Sequence, residues 1–250
     1  MKVYELPMEM ILRWHWNDPL LRHLTDTILR LVDQPHGHAL DVGTGLGRAA
    51  VALARRGFQV DALDPQVDVI EQARLIAREF RVKVNYSVAD FSRADERFPN
   101  ETYDLAVCSE VLEHIEPWQT VVQNIYRVLK PGGVLILTVP NDPKQFSILD
   151  SYAGHLRRYR WSDLAKALAD FEIQNAFTVG FPFTRSIHWT YTRLVLPLVF
   201  REHRPDRMWK TGSAYSTVGS KVFYLAARLD DLFNGWKRGT TWVIKARKPA

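Results

Sequence analysis

The sequence predicts an α/β fold in which about seven short strands form one sheet and helices cover both faces. Three observations support this prediction. Short apolar runs alternate with segments of helical periodicity, a glycine-rich turn joins the first run to a helix, and acidic residues follow the ends of successive runs. Alternation of this kind is typical of parallel strands that are connected by helices.

The glycine-rich turn is Asp41-Val42-Gly43-Thr44-Gly45-Leu46-Gly47, and a second acid, Asp64, ends the next apolar run. Glycines let a backbone approach a ligand closely, and a carboxylate at this place can accept hydrogen bonds from ribose hydroxyls. The unit therefore predicts a nucleoside-bearing ligand. Residues 45–50 also fit the dinucleotide pattern G-x-G-x-x-A, so the turn alone leaves a nicotinamide or flavin cofactor open.

The later strands end in further polar signals. The third strand, near 84–91, ends in Asp90 and Phe91, and the fourth, at 103–108, leads into S-E-V-L-E-H-I at 109–115. The turn L-K-P-G-G at 129–133 precedes a fifth strand at 134–140. A sixth strand is predicted at 172–179 and a seventh at 240–246, with about sixty residues between them. Within this interval, apolar residues that include Leu225, Leu229 and Leu232 recur at helical spacing, which predicts a helix at 221–234 that packs on the core.

This ordered set of motifs resembles the class I S-adenosylmethionine-dependent methyltransferases, and the resemblance covers roughly residues 38–180. It implies a Rossmann-like doubly wound sheet whose last strand runs antiparallel at or near the edge. We expect one domain of residues 1–250 with four parts. These are an N-terminal helical cap at 1–37, a cofactor-binding core at 38–180, a helical lid or substrate insertion at 181–239, and the last strand and tail at 240–250.

The resemblance assigns S-adenosyl-L-methionine as the cofactor and gives each motif a role. Asp41 anchors the ammonium group of the methionine part, Asp64 binds the ribose, Asp90 accepts from the adenine amino group, and the Phe91 backbone N–H meets a ring nitrogen. The segment with Ser109 and Glu110 closes over the sulfonium. The expected cofactor-binding residues are Asp41, Gly43, Thr44, Gly45, Gly47, Asp64, Asp90, Phe91, Ser109 and Glu110.

Two histidines, His114 and His155, are the candidates for a general base, because histidine titrates near neutrality. The segment Glu110-x-x-Glu113-His114 resembles one in ubiquinone-pathway O-methyltransferases, where such residues are associated with a divalent ion. The segment is also widespread in methyltransferases that need no metal, so we assign no metal ligand. His155 lies in a G-H-x-R-x-Y segment that resembles the acceptor side of these enzymes, which makes Arg157 and Tyr159 candidate substrate contacts.

Composition favours a cytoplasmic protein with an anionic or amphipathic partner. One cysteine excludes a disulfide framework, and neither a signal peptide nor an apolar run long enough to span a membrane is apparent. Residues 181–250 hold 13 Lys or Arg against 4 Asp or Glu, whereas residues 1–180 hold 20 against 24. Basic residues among aromatic ones are typical of surfaces that bind anionic ligands or lie at a membrane.

The sequence thus predicts methyl transfer to an oxygen of a small molecule that is lipid-like, quinone-like or glycan-linked, with peripheral membrane contact as an option. A tRNA-base methyltransferase is an alternative, but nucleic acid is a less favoured partner because no appended RNA-binding motif is present and Ser109-Glu110-Val111-Leu112 replaces the N/D-P-P-Y/F motif. A non-catalytic, cofactor-binding partner subunit is the other alternative.

Overall fold

The structure is a computed structural model that describes residues 8–16, 18–93, 95–195 and 217–250. Seven strands form one sheet: β1 His38–Val42, β2 Gln59–Asp64, β3 Asn85–Val88, β4 Tyr103–Ser109, β5 Leu129–Pro140, β6 Glu172–Val179 and β7 Thr241–Arg247. The α-helices of the described ranges are α1 Met8–Met10, α2 Pro19–Leu31, α3 Arg48–Arg55, α4 Val67–Glu79, α5 Trp118–Val128, α6 Ile148–Ala153, α7 Trp161–Ala167, α8 Phe183–Thr190 and α9 Thr217–Asp230.

The strand order is β3-β2-β1-β4-β5-β7-β6. Strands β1 to β5 pair in parallel, and β7 lies antiparallel between β5 and β6. The chain reverses its direction of progress across the sheet between β3 and β4, so the carboxyl ends of β1 and β4 flank a crevice at this switch point. The predicted fold class is confirmed, with the last strand one position inside the edge.

Both faces of the sheet are buried, which explains why its central strands are mostly apolar. One core forms between the sheet and helices α5 and α7, where Ile125, Leu135 and Leu164 are fully buried. The other forms against α2, α3 and α4 and includes Ile28 and Ile70. The N-terminal helices therefore complete one layer of the domain.

Local sequence signals account for several helix boundaries. Asp18 caps α2, since its carboxylate accepts hydrogen bonds from the backbone N–H groups of Leu20 and Leu21 at 2.9 Å each, and Pro19 follows at the first helical position. Ser147 and Asp150 form a reciprocal capping box at the start of α6. These contacts satisfy N–H groups that a helix start leaves without partners.

Two details differ from the sequence-based expectation. The segment L-K-P-G-G is not a turn before β5 but a bulge within it, because Leu129 pairs with Tyr103 and Val134 with Leu105, and Gly132 takes φ +78° to absorb the extra residues. The helix expected at 221–234 is α9 followed by a 3-10 turn, Asp231–Trp236.

The prediction that this helix packs on the core through Leu225, Leu229 and Leu232 is wrong, because all three side chains are exposed. Its buried positions are Ala227 and Asp230. Asp230 accepts hydrogen bonds from the first two N–H groups of α8, at 2.7 and 2.9 Å, which explains its burial. The side chain of Trp14 and most of the apolar run 194–200 lie outside the described residues.

Within the described ranges, no helix is both long enough and apolar enough to span a membrane. Cys108 lies in β4 and is fully buried, and burial raises the pKa of its thiol well above the ordinary value. A buried, protonated thiol is a poor nucleophile, so Cys108 has a packing role in β4.

We predict that Gly47→Ala destabilises the fold more than Gly45→Ala. Both residues have positive φ, which costs an L-residue about 1–2 kcal/mol. A Cβ on Gly47 would lie 2.4 Å from the Tyr86 hydroxyl oxygen, whereas one on Gly45 would meet nothing within 4 Å. Urea unfolding measures the difference.

Adding Tyr86→Phe to Gly47→Ala removes the overlapping hydroxyl and should recover part of the loss. Equal unfolding free energies for the two alanine variants would contradict this account of the close approach.

Candidate functional site

The glycine turn after β1 is built around the carboxylate of Asp41. Its Oδ2 accepts hydrogen bonds from the Thr44 hydroxyl at 2.7 Å and from the Ala50 backbone N–H at 3.0 Å, so one oxygen joins the turn to α3. Asp41 is 2% exposed. Burial raises its pKa to about 6, an effect that the two hydrogen bonds oppose and the nearby Asp64 increases.

The three glycines of the turn differ in the space that a side chain would meet at each position. A Cβ on Gly43 would lie 2.5 Å from a methyl group of Val111, and one on Gly47 would strike Tyr86. Gly45, in contrast, has open space where a side chain would be. The turn is therefore packed tightly on two sides and presents bare backbone on the third, which suits the close approach of a ligand.

Asp64, at the end of β2, lies beside this open backbone. Its Oδ2 accepts from the Gly45 N–H at 3.2 Å and its Oδ1 from the Gln66 N–H at 3.0 Å. The Thr44 N–H also donates to the Leu63 carbonyl at 2.8 Å, which holds the turn against β2. Burial raises the pKa of Asp64. The structure thus brings two acids, Asp41 and Asp64, to one crevice, as the sequence predicted.

The end of β3 extends the same crevice. The Ala89 N–H donates to the Asp64 carbonyl at 3.1 Å, which places Asp90 next to the second acid. Asp90 is exposed and accepts from the Ser92 hydroxyl at 2.6 Å, a contact that lowers its pKa. The Phe91 ring is buried, and its carbonyl accepts from the Asn124 side chain at 2.9 Å. Asp90 is therefore an ionised acceptor at the surface of the crevice.

The carboxyl ends of β4 and β5 contribute a hydroxyl and carboxyl network. Ser109 and Thr138 are register partners, and their hydroxyl oxygens are 2.9 Å apart. The Thr138 hydroxyl also lies 3.1 Å from Glu110 Oε1, to which it donates. Glu110 has φ +55°, and burial raises the pKa of its carboxyl. This strained residue lies at the switch point, where strain is typical of functional sites.

A second polar cluster lies after β4 and around α6. His155 Nδ1 is 3.0 Å from Asp150 Oδ1, and its Nε2 is 3.8 Å from Glu113 Oε1. The His114 ring packs edge-on against the His155 ring at 4.9 Å, and His114 Nδ1 is 3.2 Å from the Gly154 carbonyl oxygen. The two predicted histidines are therefore neighbours.

Asp150 orients His155. Burial alone would raise the pKa of Asp150, but hydrogen bonds from His155 and Arg158 outweigh it and hold the pKa below its usual range. Arg158 binds both carboxylate oxygens, with Nε to Oδ1 at 2.8 Å and Nη2 to Oδ2 at 3.1 Å. The ionised Asp150 accepts a hydrogen bond from the Nδ1–H group of His155, so the Nε2 atom of the ring is left as a proton acceptor.

Glu113 is the most unusual member of this cluster. It is fully buried, and neither carboxyl oxygen has a hydrogen-bond partner in the described structure. Burial raises its pKa well above the ordinary value, and Glu110 adds to the effect. A buried acid without partners is costly and is therefore a candidate for a functional group.

Glu113, His114 and His155 each offer one ligand atom, and these atoms lie within 4.8 Å of one another. This set is able to hold a divalent cation. It differs from the set considered in the sequence, since His155 takes the place of Glu110.

Arg157 and Tyr159, the candidate substrate contacts, both form contacts within the protein. The Arg157 guanidinium donates to the Ile115 carbonyl at 2.8 Å and to the Glu116 carboxylate at 2.9 Å, so it holds the chain after the 3-10 turn Leu112–His114. Tyr159 is 2% exposed and packs edge-on against Trp118. The alternation of side chains along this segment directs its ring into the core.

Sequence reasoning missed the contacts that Asp150 makes with His155 and Arg158, and the position of His188 near the same two charged groups. Ser147-x-x-Asp150 is readable as a capping box, but its second use by His155 depends on how α6 packs. His188 lies on α8, and burial lowers its pKa, as does the positive charge of Arg158. Its Nε2 atom is buried with no hydrogen-bond partner among the described residues. Helix α8 therefore places a third histidine near Arg158 and Asp150.

Comparison with known proteins agrees with these features. A family described as a methyltransferase domain matches residues 13–176. The ubiquinone biosynthesis O-methyltransferase of Rickettsia canadensis (strain McKiel) is 40% identical over 110 residues, which are 44% of this chain and 45% of that relative. The chain thus spans less than half the length of the curated relatives it matches.

Two solved structures share the fold over most of the chain. The [4+2]-cyclase SpnF has a TM-score of 0.61 at 24% identity and covers 91% of this chain and 80% of its own. The N-methyltransferase NodS of Bradyrhizobium japonicum WM9, in complex with S-adenosyl-L-homocysteine, has a TM-score of 0.59 at 15% identity, over 93% and 89%. Identities this low establish the fold alone.

The family match covers well over half of the chain and contains the glycine turn, the acids after β2 and β3 and the segment after β4. The resemblance noted in the sequence is thereby confirmed, and the chain belongs to the family of S-adenosylmethionine-dependent methyltransferases.

Proposed function

We propose that this chain transfers a methyl group from S-adenosyl-L-methionine to an oxygen of a small molecule. The observation that carries the proposal is the convergence of Asp41, Asp64 and the open backbone of Gly45 at the switch point of the sheet. The residues fit the cofactor, because two acids with pKa values raised by burial face a crevice that a cationic ligand would stabilise.

Each motif has a binding task in this proposal. The ribose hydroxyls donate to Asp64, the ammonium is balanced by Asp41, and Asp90 accepts from the adenine amino group. The Phe91 backbone N–H meets a ring nitrogen, and Ser109 and Glu110 border the sulfonium. When bound, the cofactor supplies a methyl group that is already activated, so the protein contributes mainly position and the removal of a proton.

The proton acceptor in this proposal is His155. The ionised Asp150 fixes its Nδ1–H, so Nε2 is the atom that takes the proton from the acceptor hydroxyl. His114, in contact with the same ring, lies on the acceptor side. An oxygen acceptor is the choice that needs such a base, and the relatives named ubiquinone biosynthesis O-methyltransferases support it.

A metal-assisted variant is the second candidate, because Glu113, His114 and His155 lie within the reach of one ion. Burial favours the protonated form of the Glu113 carboxyl, so this group would have to lose its proton before it could bind the ion. In this variant the ion would bind and acidify the acceptor hydroxyl, and the two histidines would be ligands.

We predict that Asp64→Ala weakens binding of S-adenosyl-L-homocysteine by roughly 10- to 150-fold, which is the loss expected for hydrogen bonds to a charged group. Calorimetric titration measures it. Asp68→Ala is the matched control, since Asp68 is an exposed acid in the first turn of α4. Unchanged affinity in Asp64→Ala would remove this carboxylate from the site.

We predict that Asp41→Asn separates the charge of this residue from its structural role. An amide oxygen keeps an acceptor for Thr44 and Ala50, so the turn should fold, while donor affinity falls at least about tenfold because the ammonium loses its counter-charge. Burial raises the pKa of the wild-type carboxyl to about 6 in the folded state, from the ordinary aspartate value of 3.8.

The sign of the pH effect follows from this difference. The folded state holds the proton up to a higher pH, so this group's contribution to stability falls as the pH rises from about 4 to about 6, by up to about 3 kcal/mol. Urea unfolding over this range should show that component in the wild type and not in Asp41→Asn. Wild-type donor affinity in the variant would contradict the counter-charge role.

We predict that His155→Ala lowers kcat by a factor of about 10² to 10⁴, the usual contribution of a general base, with little change in donor affinity. His36→Ala is the control, because His36 is exposed and lies before the amino end of β1, whereas the proposed site lies at the carboxyl ends of the strands. Loss of donor binding in parallel with kcat would make His155 structural. Activity that chelation abolishes and Mg²⁺ restores would assign His155 as a ligand.

A further inference from the structure

A second depression, with a volume of about 750 Å³, lies next to the proposed acceptor side. Its lining residues are Asn141, Asp142, Arg160, Trp161, Phe181, Arg185, Lys237 and Arg238. Four of these side chains are cationic and one is a carboxylate. We call this depression the basic cavity.

The basic cavity opens at the same edge of the sheet as the cofactor crevice. Asn141 directly follows β5, Phe181 follows β6 by two residues, and Arg238 lies three residues before β7. Thr138 contacts Ser109 and Glu110 and lies three residues before Asn141. Three residues of extended chain separate Thr138 from Asn141 by about 10 Å. A small molecule is able to span this distance.

One side chain connects the cavity to the histidine cluster. The Arg158 guanidinium binds Asp150, the partner of His155, through Nε and Nη2. Its Nη1 contacts the carbonyl oxygens of Asn141 at 3.3 Å and Thr240 at 3.4 Å. Arg158 and Asp150 therefore connect a residue that lines the cavity to the proposed base, His155.

The positive charges of the basic cavity are only partly matched within the protein. Arg185 donates to the Arg238 carbonyl at 2.7 Å and lies 3.9 Å from the Asp142 carboxylate, and Lys237 Nζ is 5.6 Å from the centre of the Trp161 ring. The side chains of Arg160 and Arg238 form neither a hydrogen bond nor an ion pair with any described residue. Unpaired guanidinium groups that converge on one cavity are typical of a phosphate site.

We propose that the basic cavity binds a phosphate or diphosphate group carried by the methyl acceptor. The inference rests on the proposed function and specifies its substrate class. Arg160 and Arg238 bind the phosphate oxygens, and Arg185 and Lys237 add positive charge at longer range. Trp161 and Phe181 pack against the apolar part of the acceptor. A group with two or more negative charges matches four cations and one acid better than a single carboxylate does.

The test uses inorganic pyrophosphate as the probe, titrated calorimetrically into the whole chain saturated with S-adenosyl-L-homocysteine. We expect Arg160→Gln combined with Arg238→Gln to weaken pyrophosphate binding by roughly 100-fold, about tenfold for each charged hydrogen-bond donor. Binding to the wild type should also weaken as salt increases. The combination Arg78→Gln with Lys83→Gln is the matched control, since it removes the same charge from exposed positions near the opposite edge of the sheet.

A parallel arm distinguishes a free phosphate compound from a lipid headgroup. Co-sedimentation with phosphatidylglycerol vesicles and with phosphatidylcholine vesicles is compared for the wild type and both double variants. Loss of pyrophosphate binding in the cavity variant alone supports a free phosphate compound, and loss of anionic vesicle binding in that variant alone supports a headgroup. Equal losses in the control variant, or no binding of either probe to the wild type, would overturn the proposal.

The affinity for S-adenosyl-L-homocysteine should remain unchanged in the cavity variant, which also shows that the variant is folded. Because neither arm measures methyl transfer, this test and the Asp64→Ala test can fail independently of each other.

Discussion

The buried carboxylate of Asp41 is the contact on which the functional edge of this molecule depends. One oxygen binds both the Thr44 hydroxyl and the Ala50 N–H, so the end of β1, the turn and the start of α3 are fixed relative to one another. The close approaches of Gly43 to Val111 and of Gly47 to Tyr86 are possible only with this geometry. The Gly45 N–H donates to Asp64, and the space beside the Gly45 backbone stays open.

The same edge concentrates acids that the protein alone stabilises poorly. Burial raises the pKa values of Asp41, Asp64, Glu110 and Glu113. The cost of burying these acids reduces the free energy of unfolding of the protein without ligand, and a bound cation would offset that cost. A ligand with an ammonium and a sulfonium has two positive charges to place in such a crevice. The electrostatic cost of the unliganded site is therefore itself an argument for the ligand that we propose.

The contacts on the cofactor side can be inferred from the sequence more directly than those on the acceptor side, for a physical reason. Asp41 and Asp64 are among the last two residues of β1 and β2, and Asp90 lies two residues after β3, so strand ends that apolar runs reveal set the positions of all three. Asp150 and His155 meet because α6 packs against the chain after β4, and no local pattern encodes that contact. Tyr159 shows the same limit, since alternation indicates two faces for a segment without saying which one enters the core. Helical periodicity likewise grouped Leu225, Leu229 and Leu232 correctly on one face but assigned that face to the inside.

This division corresponds to two halves of the molecule with opposite charge. Strands β1 to β4 carry the acidic crevice, whereas the elements after β5 provide Arg158, Arg160, Arg185, Lys237 and Arg238. A donor that is positive at its reactive end and an acceptor that is negative at its far end would each find a complementary field, and the reverse arrangement would be repelled. Charge separation across the switch point thus gives the site a direction before any specific contact forms. His155 and Arg158 share Asp150 between the two fields, which is where our proposal puts the acceptor hydroxyl group and its base.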